Sequence, residues 1–244
     1  MKNHGDNSYK FLWIIYGTKK SVHLQMCIRD RAMNARHSVR HYQKKAIEQD
    51  KVEQLYQEID QINQQHHLHF QMILNEPHAF ESFFVHYGRF KNVQNYIALV
   101  GHQDDQEKIG YYGESLVLKA QQMGLNTCWV AATYNRKKVP CQINDHEELI
   151  CIITIGYGDN LGKPHKNMPI EKLYTCLDEP TDWFIKGMEA VMLAPTAMNQ
   201  QKFFLTLKDE HVEISSHGSY AKINLGIIKY HFEIGAHKQA DIWI

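Results

Sequence analysis

The chain has 244 residues, 43% of them hydrophobic and 22% charged, the balance of a soluble globular protein that can bury one large or two small cores. Its 27 lysines and arginines match its 27 aspartates and glutamates, so the charge offers no reason to expect nucleic acid or an acidic membrane as partner. Five cysteines, odd in number and without Cys-x-x-Cys spacing, argue against a disulfide framework and predict free thiols in a reducing, cytoplasmic setting.

In chain order, Phe11-Leu12-Trp13-Ile14-Ile15-Tyr16 is apolar but too short to span a bilayer, and no small-residue cleavage site follows. Residues 1–32 match nothing later in the chain. They are expected to be an extension, artefactual in origin, with the native protein starting near Met33. Arg36-His37-Ser38-Val39-Arg40 then places two guanidinium groups, an imidazole and a hydroxyl in five residues. Arginine's planar fork suits a phosphate, where paired charge-assisted hydrogen bonds give both affinity and orientation.

Residues 52–65 carry the apolar spacing of a helix and end in Asn63-Gln64-Gln65; the run from His67 to Leu74 reads as a strand. His66, His67 and His69 cluster there without acidic or cysteine partners at ligand spacing, and no metal is expected. A second strand is predicted over Tyr96 to Val100. Ahead of it lies Tyr87-Gly88-Arg89-Phe90-Lys91-Asn92, in which Arg89 and Lys91 are both candidate cationic contacts. Tyr111 to Gly124 reads as a helix closed by its glycine, and Leu149 to Gly158 as a buried strand followed by the basic segment Lys163-Pro164-His165-Lys166.

Asp182 to Leu193 is an apolar helix stopped by Pro195. Ala194-Pro195-Thr196-Ala197-Met198-Asn199-Gln200-Gln201 then holds a hydroxyl and three amides between that helix and the strand Lys202 to Leu207, a corner suited to a planar polar ligand. Ile223 to Gly235 repeats the spacing and closing glycine of the 111–124 helix. Helix, Asn-Gln-Gln, strand thus occurs twice, and residues 50–130 and 184–236 look like two copies of one plan. Only the second keeps the Pro-Thr corner, because the first has Ile59-Asp60 there.

Four of these stretches, in order, resemble the nitroreductase family of FMN-dependent oxidoreductases. Arg36 to Arg40 resembles its flavin-phosphate motif. Gly113 to Trp129 resembles its central helix and Gly-Leu-x-Thr-x-Trp turn, Leu149 to Pro169 its core strand and basic segment, and Ala194 to Gln201 its Pro-Ser-x-x-Asn-x-Gln flavin corner. Thr196 stands for the usual serine and Lys202-Phe203 for Pro-Trp. The arrangement is similar to the single-chain, internally duplicated branch of that family.

The resemblance implies an α+β fold in which two related halves, 33–178 and 179–244, form a pseudo-dimer around a mainly antiparallel sheet flanked by helices. It implies a monomer with one FMN between the halves. Arg36, His37, Ser38 and Arg40, with Lys163, His165 and Lys166, would hold the phosphate. Gly113 and Glu114, expected to open the central helix, would offer backbone N–H groups to the flavin edge, and Pro195, Thr196, Asn199 and Gln201 would line the ring. The implied activity passes hydride from NADH or NADPH through flavin N5 to a nitroaromatic, quinone or similar small acceptor, with no catalytic side chain. Another FMN enzyme of the same fold, such as a reductive dehalogenase or flavin-fragmenting enzyme, and a non-enzymatic flavin or nucleotide binder are the alternatives.

Overall fold

The computed structural model describes residues 28–81, 88–238 and 240–244. Tyr87 and the apolar run 11–16 lie outside the described residues. Residues 28–35 are helical and lead directly into the 36–42 stretch. Helix α1 (Gln49–His66) buries Val52, Leu55, Ile59 and Ile62, the three- and four-residue spacing that puts one stripe on a core. It ends in a left-handed His67, and Asn63 bridges the turn: its amide donates to the Phe70 carbonyl and accepts the Phe70 N–H, at 2.9 and 2.8 Å. The chain thereby turns directly into strand β1 (His69–Ile73).

β2 (Tyr96–Gly101), β3 (Asn126–Val130) and β4 (Glu148–Gly156) complete an antiparallel sheet of order β1-β2-β4-β3. All six residues of β2 are buried because both faces of the sheet are covered. Ile97 and Leu99 face a core shared with the helices, whereas Tyr96, Ala98 and Val100 face Val39, Tyr42, Phe80 and Tyr134.

Helix α2 (Gln106–Gln122) starts seven residues before Gly113, so the expectation that Gly113 and Glu114 open it is corrected. Their N–H groups lie in the helix interior, where the preceding turn's carbonyls engage them. Gly124, with φ +76° and open space around it, takes the left-handed position just beyond the helix end that glycine adopts most readily.

The rest of the chain forms β5 (Tyr174–Cys176), α3 (Asp182–Val191), β6 (Phe203–Lys208), β7 (His211–Ser216) and α4 (Ala221–Ala236). These strands make a second, smaller sheet, β5-β6-β7, with β5 and β6 parallel and β6 and β7 antiparallel. α4 packs against both α2 and α3. Gly235 does not close α4, which runs on to a left-handed His237; a Cβ on Gly235 would lie 2.6 Å from the Lys186 carbonyl oxygen, so its role is close approach to α3. The order helix, antiparallel strand pair, helix occurs over 49–122 and again over 182–236.

Candidate active site

The 36–42 stretch is held as an extended edge. Val39 N–H donates to Thr127 O at the start of β3, Tyr42 N–H donates to Lys91 O, and Lys91 N–H donates to Arg40 O. The buried Tyr42 hydroxyl pins the curve, 2.8 Å from both Val39 O and Thr154 Oγ1. The backbone of Lys91 is therefore beside Arg40 and His41, whereas the exposed Arg89 sits at φ 54°.

This edge delivers Arg36 to a small cavity of about 50 Å³. Its walls are Arg36 and His37, Pro164, His165 and Asn167 from the basic segment, and Met192 and Leu193 from the end of α3. Three sequence-distant stretches thus meet at one point. Ser38 and Arg40 do not line it; both lie by Cys128, whose thiol burial pushes up. Lys163 and Lys166 are exposed beside the lining residues on the same loop.

Two polar atoms of residues that line this cavity, Arg36 Nε and His165 Nδ1, are buried without a hydrogen-bond partner among the described residues. Leaving such groups unpaired costs about 1–3 kcal/mol each, and more for a charged one, and an anion in the cavity would complement the Arg36 charge and a His165 that carries its hydrogen on Nδ1. His37 is held below the ordinary imidazole range by burial first, then by the Arg36 and His165 charges. The space equals a few water molecules, the scale of a phosphate group and not of an aromatic ring system.

The Ala194–Gln201 corner grips the basic segment. The side-chain amides of Asn199 and Gln201 both donate to Lys166 O at 2.8 Å, and Gln201 Oε1 accepts the Met168 N–H at 3.0 Å. Thr196 Oγ1 accepts the Gln201 N–H, and Asn224 of α4 accepts the Ala197 N–H. These amide groups hold His165 and its neighbours in place. Left-handed backbone at Met198, Asn199 and Gln201 makes the tight corner possible. Pro195 and Thr196 are half-buried at its start, and Met198 is 75% exposed at its tip.

Glu114 has no access to a ligand. Its carboxylate is fully buried, accepting from Trp129 Nε1 at 2.8 Å and lying 2.9 Å from His231 Nε2 and 3.9 Å from Arg36 Nε. Gly113 packs under Trp129, where a Cβ would come within 2.4 Å of the ring. His231 and Asn224 were not foreseen, since each acts across more than twenty residues of sequence and lies in a helix that reads as plain packing. Among the described residues no group of His, Cys, Asp and Glu is placed to hold a metal, and no helix is long and apolar enough to cross a membrane.

The family profile described as "Putative TM nitroreductase" matches residues 30–236. Among solved structures, a putative nitroreductase from Thermotoga maritima is 24% identical over 85% of this chain and 82% of its own, with a TM-score of 0.60; it supports the fold. A putative nitroreductase from Desulfovibrio desulfuricans, solved in complex with FMN, is 16% identical over 63% of this chain and 97% of its own, with a TM-score of 0.48. No match was found among curated protein sequences.

Proposed function

This chain belongs to the nitroreductase family, and on that premise we propose that it is an FMN-dependent oxidoreductase whose cavity at Arg36 receives the flavin phosphate. The observation that carries the reading is that Arg36 and His165, each with a buried, unpartnered nitrogen, line one phosphate-sized cavity. A phosphate offers three acceptor oxygens and a charge that Arg36, His37, Lys163 and Lys166 complement. Arg36 supplies the oriented charge, and the grip of Asn199 and Gln201 on Lys166 keeps the basic loop from relaxing outward. Ser38 and Arg40 add polarity and charge on the same edge. Exposed Met168 and Met198, with Pro195 and Thr196, offer apolar surface next to this clamp for the ring system. The interior amides of Gly113 and Glu114 take no part.

When bound, FMN supplies the redox chemistry, accepting hydride from NADH or NADPH and delivering it to a nitroaromatic, quinone or similar acceptor. The chain contributes binding, orientation and a cationic environment; no side chain is assigned to proton transfer. Both sides of the site come from one chain, so the protein works as a monomer that mimics a dimer of related halves. The repeated helix, strand pair, helix order supports that reading of 33–178 and 179–244. Four free cysteines among the described residues, Cys128, Cys141, Cys151 and Cys176, agree with a reducing cytoplasm.

The test is to add FMN, remove unbound ligand, and measure the flavin-to-chain ratio and its bleaching by NADH and NADPH. About one flavin per chain with bleaching is expected; a chain that retains none overturns the reading. Arg36→Ala should weaken FMN far more than riboflavin, which lacks the phosphate. Equal losses for both ligands overturn the phosphate assignment.

A further inference from the structure

Behind Arg36 lies a buried pair, Glu114 and His231. Both side chains are fully inaccessible, on helices α2 and α4, 117 residues apart in sequence. His231 Nδ1 lies 3.1 Å from the Ala190 carbonyl oxygen, which can only accept, so that nitrogen carries a hydrogen. Nε2 lies 2.9 Å from Glu114 Oε1, and a hydrogen bond there requires a second proton, held by the ring or by the carboxyl. The other carboxyl oxygen accepts from Trp129, and Arg36 Nε stands 3.9 Å from Oε1, beyond hydrogen-bonding distance.

With the shared proton in place, Glu114 and His231 together are neutral, wherever the proton sits, and the cluster's net positive charge is that of Arg36. Without that proton, Glu114 would cancel Arg36 and the cavity would face a neutral cluster. We infer that His231 is a positioning residue that neutralises Glu114, so that Arg36 stays an uncompensated cation for an anionic phosphate group. The inference rests on the FMN reading and specifies how its anion site keeps its charge. The Arg36 guanidinium is itself held by Nη2, which donates to Leu193 O at 3.2 Å.

Charge-balancing substitutions test this. His231→Gln can still donate to Glu114 but brings no charge, leaving Glu114 to cancel Arg36. Glu114→Gln keeps an acceptor for Trp129 and a donor for a neutral His231, and so preserves the net charge. The double variant E114Q/H231Q also keeps it. Titrations of FMN and riboflavin should show H231Q losing affinity for FMN about tenfold or more with little change for riboflavin. E114Q and the double variant should retain the wild-type preference for FMN. Riboflavin binding reports that each variant is folded.

An unchanged FMN preference in folded H231Q, or a double variant no better than H231Q, overturns the inference. Failure of the wild-type chain to bind FMN overturns the cofactor reading instead, which keeps the two separable. Should H231Q not fold, nitrogen and carboxyl carbon NMR of His231 and Glu114 in the ligand-free wild type decides. One shared proton supports the inference; a neutral ring beside an ionised carboxylate overturns it.

Discussion

At the level of single residues, the histidine next to Arg36 makes the site sensitive to pH. Burial, then the charges of Arg36 and His165, depress His37 below the usual imidazole value. The folded chain therefore binds this proton less readily than the unfolded one, and His37 withdraws stability from the ligand-free protein as pH falls below about 6.5. A bound phosphate reverses the local balance, because an anion next to the ring favours imidazolium. Phosphate-specific affinity should then rise as pH falls, by a few-fold at most since the ring is partly exposed. FMN has its own titration near pH 6, so the informative quantity is wild type against His37→Gln. Between about pH 8 and about pH 5.5 the FMN-to-riboflavin affinity ratio of wild type should gain about threefold on that of H37Q. Parallel profiles for the two proteins would remove His37 from the phosphate site.

At the level of elements, the crossing of α2 and α4 depends on two glycines, Gly110 and Gly226, whose sequence context gives no sign of it. A Cβ on Gly226 would lie 1.9 Å from the Glu107 carbonyl oxygen, and one on Gly110 would lie 2.1 Å from the Ile223 carbonyl oxygen. α2 and α4 thus press backbone to backbone, each through its own glycine. Because the clashing atoms are backbone, no side chain can turn aside. Gly226→Ala is expected to cost about 3 kcal/mol or more, at or above the upper end for overpacked cores. Gly124→Ala, in open space but left-handed, should cost about 1 kcal/mol. Urea unfolding of both variants checks the order, and similar losses would mean that α2 and α4 do not touch as closely as described.

The same elements show what was legible in the chain. α1, β2 and α4 followed from apolar spacing. The start of α2 was missed because Gln106-Glu107-Lys108 has no apolar rhythm and tertiary packing on α4 extends the helix. Glu114 was expected to offer its backbone N–H at a helix start, so its buried carboxylate was not foreseen. Its partners His231 and Arg36 come from other elements, and no local pattern encodes such a contact. Gly235 looks in sequence like a helix cap, since close approach and capping call for the same residue. The amides of Asn199 and Gln201 were recognised as clustered, but what they hold, the Lys166 backbone, depends on where a loop 33 to 35 residues away returns.

For the whole molecule, the decisive feature is that one core crosses the two proposed halves, 33–178 and 179–244. Ile109, Leu116 and Ala120 of the first half belong to the same buried cluster as Ile223, Ile227 and Phe232 of the second. The cavity is likewise shared, with Arg36 and His165 on one side and Leu193 on the other. Neither half can unfold without exposing the other's apolar face, so heat should melt the protein in a single transition. A ligand bound only by the native state adds RT ln(1 + [L]/Kd), about 2.7 kcal/mol at one hundred times Kd. For a chain of this length that corresponds to a rise in Tm of roughly 5–10 °C. FMN should move the entire transition by that amount, because the phosphate cavity cannot persist once either half opens. Calorimetry showing two transitions, with FMN raising only one, would mean that the halves fold independently and that the flavin is held by one of them alone.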